Sequence, residues 1–137
     1  MKKVTIIGAS GYAGVELIRI LANHKHCKVT HLVAKDSGNR TIESIFPALG
    51  YLTDLRGMIV EDVDDHFSLS EAAYMKDADV IFLALPHGVS APFVKAGLSL
   101  GKKVIDLGAD FRFRDVATYE KWYGTHQYPE ICESTVY

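Results

Sequence analysis

Apolar and polar residues alternate in blocks along most of the chain, and the blocks predict strands and helices in turn. Unbroken apolar runs rich in β-branched residues are typical of parallel strands that are covered on both faces. Such runs occupy residues 3–8, 29–34, 80–85 and 103–107. Between the first two runs, apolar residues recur at helical spacing and predict a helix over residues 12–24.

Capping residues predict two more helices. Ser68 with Glu71 three residues later matches a capping box and predicts a short helix over residues 69–76. Ser90 as a cap and Gly101 just past the end bracket another helix, with a proline in its first turn. Both helices precede a predicted strand, so the alternation continues.

The remaining segments carry weaker patterns. Residues 35–40 have loop composition, residues 42–55 show no sustained period, and residues 57–60 predict a short edge strand. Beyond Phe111 the chain becomes polar and aromatic and stops without a terminating signal. We therefore expect residues 1–137 to be a nucleotide-binding domain that is truncated.

The alternating order of elements predicts one fold class. Strand–helix–strand units of these lengths imply right-handed crossovers and a sheet with helices on both faces. The chain is predicted to be an α/β protein with a Rossmann-type, doubly wound and mostly parallel sheet. No second, catalytic or oligomerisation domain is expected within it.

Composition narrows the choice of partners. The chain has 137 residues, of which 48% are hydrophobic and 23% charged, and a net charge of −2. These values suit a single globular domain and give no basic field for nucleic acid or an anionic membrane. The first apolar run is too short for a signal peptide or membrane span, and two separated cysteines suit a reducing compartment. We expect a cytoplasmic protein with a small-molecule partner, no nucleic acid and no membrane.

A glycine-rich segment lies between the first predicted strand and the first predicted helix. Gly8, Gly11 and Gly14 spell GxxGxxG. Gly8 permits a tight turn, Gly11 lets the main chain approach a diphosphate, and Gly14 lets the helix pack on the strand. The free N–H groups of the first helical turn would then point at an anion. This context predicts a dinucleotide site.

The end of the second predicted strand is where such folds distinguish NAD from NADP. An acid there binds the ribose 2′-hydroxyl, whereas a cation binds a 2′-phosphate. Lys35 and Asp36 stand there together, with Arg40 nearby. Two cations against one carboxylate favour NADP, but two solvated loop charges give the same pattern, so both cofactors stay open.

Two further segments follow the fourth and fifth predicted strands, where ligands collect in such sheets. Pro86, His87 and Gly88 form a stiff turn in which His87 either faces the cofactor or lies in a plain surface turn. After the fifth strand, a glycine turn delivers Asp110 and Arg112 to the same rim. Arg112 either clamps a carboxylate or phosphate, or only pairs with the neighbouring acids.

Three other groups are better explained by structure than by chemistry. His24, His26 and Cys27 end a predicted helix, where histidines favour the carbonyl pole, so no metal site is expected. The acidic residues within 61–65 lack the glycine and spacing of a calcium loop and predict a solvated turn. Cys132 has no flanking glycine or neighbouring base in the sequence, so we do not expect a nucleophile there.

Four longer segments resemble one enzyme family. They read GASGYAGVEL at residues 8–17, FLALPHGVS at 82–90, DLGADFRF at 106–113 and YEKWYGTHQYPE at 119–130. Together they are similar to N-acetyl-gamma-glutamyl-phosphate reductase. The PHG and GADFR segments are much more specific than the glycine loop.

The resemblance implies an NADPH-dependent reduction of an acyl phosphate to a semialdehyde in arginine biosynthesis, akin to aspartate-semialdehyde and glyceraldehyde-phosphate dehydrogenases. The residues implied to form the phosphate loop are Ser10, Gly11, Tyr12 and Ala13. Pro86, His87 and Gly88 would pack near the nicotinamide, and Arg112 would help to hold substrate. Lys35 stands where the family usually has an arginine, which keeps the charge but loses the planar fork that favours NADP.

The residues that perform the family's covalent chemistry are expected outside this chain. In the family a cysteine thiolate displaces phosphate and hydride then reduces the thioester. That cysteine follows an NPGC-like motif expected after Tyr137, and the histidine base comes later still. The chain would thus bind cofactor without turnover, and the full-length protein would be a homo-oligomer, a tetramer.

Two alternatives stay open at this point. One is the lysine-pathway relative that reduces an aminoadipyl phosphate attached to a carrier protein. The other is a non-catalytic NADP-sensing module, which would explain a nucleotide loop without a nucleophile.

Overall fold

The computed structural model describes residues 1–63 and 68–136, and these residues form a five-stranded parallel sheet. The strands are β1 (Lys2–Ile7), β2 (Cys27–Ala34), β3 (Val60–Asp62), β4 (Val80–Leu83) and β5 (Lys103–Asp106). They lie in the order β3-β2-β1-β4-β5, and each neighbouring pair is parallel. The predicted fold class is confirmed. The strand order reverses between β1 and β4, the place where doubly wound sheets bind ligands.

Short and medium helices connect the strands. They are α1 (Tyr12–Leu21), α2 (Ile42–Ile45), α3 (Ala73–Lys76), α4 (Ala91–Ser99) and α5 (Val116–Tyr123). Single 3₁₀ segments lie at Pro47–Leu49, Thr53–Leu55, Leu69–Glu71 and Pro129–Ser134. Within residues 1–63 and 68–136, none of the helices has the length and apolar character needed to span a membrane.

The core consists of two apolar clusters. Ile6 of β1 belongs to the cluster that contains Ile18 of α1, whereas the adjacent Ile7 belongs to the cluster that contains Val94 of α4. Successive side chains of a strand point to opposite faces, so one continuous apolar run supplies both clusters. Each fully buried isoleucine contributes about 1.5–3 kcal/mol to stability.

Most predicted elements are confirmed with shifted ends. The first helix ends at Leu21, three residues earlier than predicted, and Ala22 forms its cap. The predicted edge strand is present, but it begins at Val60 and pairs only with β2. Residues 42–55, which have no sustained period, fold as α2 and two 3₁₀ turns.

Ser68 and Ser90 occupy the predicted N-cap positions, but neither side chain makes the cap hydrogen bond. The Ser68 hydroxyl contacts the Ser70 hydroxyl at 2.8 Å, and the Ser68 carbonyl accepts the Glu71 amide. The result is a 3₁₀ turn, and the extended Ala72 separates it from α3. Ser90 precedes α4, but its hydroxyl lies between the carboxyl groups of Asp106 and Asp110 and accepts no helix amide. A hydrogen bond to a carboxylate is stronger than one to a neutral group, so the Ser90 hydroxyl turns towards the carboxyl groups.

The sequence-based prediction missed α5. The Asp115 carboxylate caps this helix by accepting the amides of Ala117 and Thr118 at 3.3 and 3.2 Å. A hydrogen bond from the Thr118 hydroxyl lowers the pKa of Asp115. Gly124, with φ of 90°, ends the helix. Together, α5 and the following segment lie against the carboxyl end of the sheet through Tyr119.

Candidate functional site

The loops that follow β1, β4 and β5 meet at one edge of the sheet. A Cβ on Gly8 would lie 2.3 Å from the carbonyl oxygen of Ala84, just after β4. A Cβ on Gly108 would lie 3.6 Å from the carbonyl oxygen of Leu85. The glycine loop and the segments after β4 and β5 therefore adjoin at the point where the strand order reverses.

The glycine loop is fixed by main-chain hydrogen bonds to β2. The amides of Gly8 and Ala9 both donate to the carbonyl of Val33, at 2.8 and 3.0 Å. Gly8 has φ of 91°, a left-handed conformation that favours glycine. Contacts within the protein itself therefore hold the conformation of the glycine loop.

Gly14 and Gly11 have different reasons to be glycine. A Cβ on Gly14 would lie 2.2 Å from the Gly8 carbonyl oxygen, so the packing of α1 against the loop excludes any side chain. A Cβ on Gly11 would meet only that same oxygen, at 3.6 Å, and Gly11 has an ordinary extended backbone. The protein itself has room for a side chain at Gly11, so the need for glycine points outward, to a ligand.

The first turn of α1 presents unused donors to that open space. In the part of the chain that the structure describes, nothing accepts a hydrogen bond from the amides of Tyr12, Ala13 or Gly14. The first turn carries no acidic residue, and the Tyr12 side chain is 98% exposed. A helix of ten residues with free amides and no internal anion is suited to bind a phosphate group.

The loop at residues 35–40 follows β2 and is held by Asp62 at the end of β3. The Asp62 carboxylate accepts the amides of Ser37 at 2.5 Å and Gly38 at 3.1 Å, and the Ser37 hydroxyl at 2.7 Å. The Ser37 hydroxyl bond is the largest cause of the lowered pKa of Asp62. The Asp62 amide in turn donates to the side-chain oxygen of Asn39 at 3.0 Å.

The 35–40 loop contains two cations and one acid. The guanidinium of Arg40 donates through Nε to the Ser37 carbonyl at 3.0 Å. Lys35 and Asp36 are both exposed, and Asp36 has φ of 55°. Lys35 and Arg40 are therefore exposed in a loop that follows β2, at the same edge of the sheet as the glycine loop.

The sequence predicted a solvated acidic turn within residues 61–65. For Glu61 and Asp62 this prediction is wrong, because both side chains have partners. Glu61 contacts Nδ1 of His31 at 2.6 Å, and Asp62 accepts the bonds described above. Asp64 and Asp65, which completed the predicted acidic turn, lie outside the described residues. Among the residues described, no group of three or more potential metal ligands comes together.

Pro86, His87 and Gly88, hereafter the PHG loop, follow β4. The Gly88 amide donates to both carboxylate oxygens of Asp110, at 2.8 and 3.0 Å, and Gly88 has φ of 78°. The His87 side chain is exposed, with its ring 5.1 Å from the ring of Tyr123. Asp110 thus ties this loop to the segment after β5.

Asp110 is the centre of a buried polar network. Only 2% of the residue is exposed, and besides Gly88 it accepts the hydroxyls of Ser90 at 3.0 Å and Tyr119 at 2.9 Å. Burial and the bond to Asp110 raise the pKa of Tyr119 to about 12, so the phenol stays a donor. Asp110 thus accepts bonds from Gly88, Ser90 and Tyr119, while Asp115 caps α5.

A second carboxylate stands beside Asp110. Asp106, at the end of β5, accepts the Gly108 amide at 2.9 Å and contacts the Ser90 hydroxyl at 2.8 Å. Burial is the largest cause of its raised pKa. The Ser90 hydroxyl therefore lies between two carboxyl groups.

His126 closes the network on the far side of Asp110. Its Nε2 bonds the Asp110 carbonyl, which can only accept, and its Nδ1 accepts the Tyr128 amide at 3.1 Å. The ring is therefore neutral, with its proton on Nε2. Cys132 Sγ lies 3.4 Å from the same Nε2, which is already protonated and is no base for the thiol. Burial raises the pKa of Cys132, so the group stays a thiol.

Arg112 lies at the outer side of this rim. It is exposed and lines a groove of about 550 Å³ together with Asp106, Gly108 and Phe111. The groove runs along β5, on the side of the sheet edge away from β2. The two ends of the candidate site are thus the 35–40 loop and this groove, with the glycine and PHG loops between them.

The sequence-based analysis did not recognise four residues of the buried network. They are Ser90, Asp106, Tyr119 and His126. A signal existed for Tyr119, because Asp115 and Gly124 bracket a helix of eight residues in the sequence. The roles of the other three depend on contacts between distant segments, which no local pattern reveals.

The chain is similar to known reductases along its whole length. A family model described as semialdehyde dehydrogenase, NAD binding domain, matches residues 3–128. N-acetyl-gamma-glutamyl-phosphate reductases from Geobacter sulfurreducens and Caldicellulosiruptor saccharolyticus are 42% and 40% identical over 137 residues, which is 100% of this chain and 37% of each relative. The resemblance predicted from the motifs is thereby confirmed.

A solved structure shows the same fold. The aspartate semialdehyde dehydrogenase with NADP from Candida albicans has a TM-score of 0.64 at 20% identity, and the match covers 82% of this chain and 31% of that one. The parallel sheet, the glycine loop at the strand reversal and the family match agree. The chain belongs to the semialdehyde dehydrogenase family, as an NAD-binding domain of that family.

Proposed function

We propose that this chain is the NADP-binding part of an N-acetyl-gamma-glutamyl-phosphate reductase. Such an oxidoreductase reduces the acyl phosphate to N-acetyl-glutamate 5-semialdehyde. The relatives that carry this name support the proposal, at 42% and 40% identity. Because the chain spans 37% of their length, we assign the activity to a longer protein and the cofactor site to residues 1–137.

The observation that carries the proposal is the open first turn of α1. Gly8 and Gly14 shape the loop, while Gly11 leaves space that the protein does not fill. The amides of Tyr12 and Ala13 face that space, with Ser10 beside them, and would hold the diphosphate of the dinucleotide. When bound, the cofactor supplies the hydride for reduction of the acyl group.

The 35–40 loop supports NADP as the cofactor. Lys35 would bind the 2′-phosphate of the adenosine, and Arg40 adds a second positive charge to the same loop. Asp36 would disfavour that phosphate, but it is a single charge on a left-handed, exposed residue. The Candida albicans relative is likewise described with NADP.

The far half of the site would hold the reacting groups. The PHG loop is placed beside the glycine loop at the strand reversal, so Pro86, His87 and Gly88 would pack near the nicotinamide. Arg112, on the groove along β5, would hold the negatively charged substrate. No residue of this chain is assigned a catalytic role.

The nucleophile of the reaction would come from elsewhere in the full-length protein. Cys132 is 1% exposed and remains a protonated thiol beside a histidine that cannot take its proton. A thiolate able to attack an acyl phosphate needs access and a base or cation, and Cys132 has neither. We further infer a cytoplasmic protein that acts on a small molecule and assembles into a homo-oligomer through its remaining domain.

Assay of the full-length protein tests the proposal most directly. In the oxidative direction, N-acetyl-glutamate 5-semialdehyde, phosphate and NADP should yield NADPH, and omission of phosphate should abolish the reaction. Turnover of only a carrier-linked aminoadipyl substrate would place the protein in the lysine-type branch. Tight NADPH binding with no turnover of either substrate would favour the sensing module.

A further inference from the structure

We propose that Asp110 is the positioning residue for the nicotinamide half of the cofactor, kept as an anion by a proton that Asp106 holds. The inference rests on the proposed function, because it assumes that a dinucleotide lies between the glycine loop and the PHG loop. It adds a residue pair that neither the motifs nor the family match assigns.

Counting protons around Ser90 gives the first step. Its hydroxyl lies 2.8 Å from an oxygen of Asp106 and 3.0 Å from an oxygen of Asp110. A serine hydroxyl has one proton to donate and can satisfy only one of two carboxylates. The other contact is a hydrogen bond only if that carboxyl group is itself protonated and donates to the Ser90 oxygen.

The neighbouring donors decide which carboxyl group carries the proton. Asp110 accepts the Gly88 amide and the Tyr119 hydroxyl, so both of its oxygens already face donors. Protonation of Asp110 would weaken the bonds that it accepts from Gly88 and Tyr119, because a neutral carboxyl group is a poorer acceptor than a carboxylate. Apart from Ser90, Asp106 has one donor among the described residues, the Gly108 amide, and it accepts this amide through the oxygen that does not face Ser90.

The proton therefore lies on the Asp106 oxygen that faces Ser90. The chain of donation runs from Asp106 through Ser90 to an anionic Asp110. Burial, which raises the pKa of Asp106, acts in the same direction. His126 adds no charge, because its ring is held neutral by Asp110 and Tyr128.

The anion on Asp110 fixes the PHG loop by two routes. The direct route is the bidentate bond from the Gly88 amide, which follows His87 in the chain. The indirect route runs through Tyr119, whose ring stacks on Tyr123 at 5.1 Å, and the Tyr123 ring lies 5.1 Å from His87. The main chain at Gly88 and the ring of His87 therefore both depend on one buried carboxylate.

Comparison of two ligands distinguishes a positioning role of Asp110 from a general role in protein stability. NADPH and 2′-phospho-ADP-ribose share the adenosine phosphate and the diphosphate, but only NADPH has the nicotinamide. In Asp110→Asn we expect NADPH to bind about tenfold more weakly while the affinity for 2′-phospho-ADP-ribose is unchanged. The fluorescence of the bound dihydronicotinamide should also move towards that of free NADPH. Asp79→Asn serves as the matched control, because Asp79 accepts the Lys3 amide at 2.8 Å at the amino end of β4, outside the network.

Two further variants keep the test decisive if Asp110→Asn does not fold. Tyr119→Phe removes one donor to the same carboxylate and should give a smaller loss that is again confined to NADPH. Asp106→Asn mimics the protonated acid, because its amide can donate to Ser90, and should lose clearly less NADPH affinity than Asp110→Asn. A loss in Asp106→Asn equal to that in Asp110→Asn would overturn the assigned proton.

The outcomes distinguish the inference from the function on which it rests. A wild-type protein that binds neither ligand overturns the proposed function. A wild-type protein that binds both, with an unchanged ratio of the two affinities in Asp110→Asn and Tyr119→Phe, overturns the positioning role alone.

Discussion

The two ends of the cofactor site use the same device in different surroundings. The 35–40 loop is held by Asp62, which accepts two loop amides and the Ser37 hydroxyl. The PHG loop is held by Asp110, which accepts the Gly88 amide and the hydroxyls of Ser90 and Tyr119. In each case the carboxylate comes from the end of the next strand or from just beyond it.

The difference lies in the access of water. Asp62 is half-buried at the edge of the sheet, whereas Asp110 is 2% exposed beneath α5. Water can replace a lost bond at an exposed carboxylate, but it cannot reach a buried one. The 35–40 loop should therefore tolerate the loss of one bond, whereas the PHG loop depends on a complete network.

The largest effect is expected from neutralising the buried carboxylate. Asp110→Asn replaces an acceptor of several donors by a group that must turn a donor towards them, and should lower the free energy of unfolding by about 3 kcal/mol. Urea denaturation of the variant and of the wild type measures this loss. Asp62→Asn should cost clearly less, and an equal or greater loss there would contradict the comparison.

The contributions of Asp62 and Asp106 to folding stability should change with pH in opposite directions. The pKa of Asp62 is lowered in the folded state, so its stabilisation is lost as pH falls through that value. The pKa of Asp106 is raised, so the folded state keeps a proton that the unfolded chain releases above about pH 4, and stability falls as pH rises. Thermal melts of Asp62→Asn and Asp106→Asn across pH should each remove one of the two slopes. Loss of the same slope in both variants would show that the assignment of protons is wrong.

The smallest effect concerns cofactor choice at the exposed end. Lys35→Ala should weaken NADPH binding by about tenfold and leave NADH binding nearly unchanged, because only the 2′-phosphate meets that cation. His87→Ala, at the other end, should not change the ratio of the two affinities. Calorimetric titration of both nucleotides measures the ratio. If Lys35→Ala weakens NADH equally, the residue acts on the loop and not on the phosphate.

Local patterns predicted the scaffold well. The apolar runs of β1, β2, β4 and β5 are long enough to define strands, and three glycines at the junction of β1 and α1 locate the glycine loop. These features depend on neighbours in sequence, so they are visible without a structure. The strand ends moved by one or two residues because hydrogen bonding, rather than hydrophobicity, decides where pairing stops.

The carboxylates that hold the two loops could not be predicted in the same way. Asp62 lies 25 residues after Ser37, and Asp110 lies 22 residues after Gly88. Each pair is joined only when the sheet brings two strand ends together. Ser90 shows the limit most clearly. Its neighbours in sequence indicate a helix cap, whereas the fold places its hydroxyl between two carboxyl groups.

The central claim is that the open first turn of α1 binds a diphosphate, and Gly11 tests it with little risk to the fold. A Cβ there meets only the Gly8 carbonyl oxygen, at 3.6 Å, so Gly11→Ala, Gly11→Gln and Gly11→Glu should unfold at the wild-type temperature. Titration with NADPH should show the affinity falling in that order, and Gly11→Glu, which places a carboxylate against the free amides, should bind no detectable NADPH. Unchanged NADPH affinity in a folded Gly11→Glu would contradict the account.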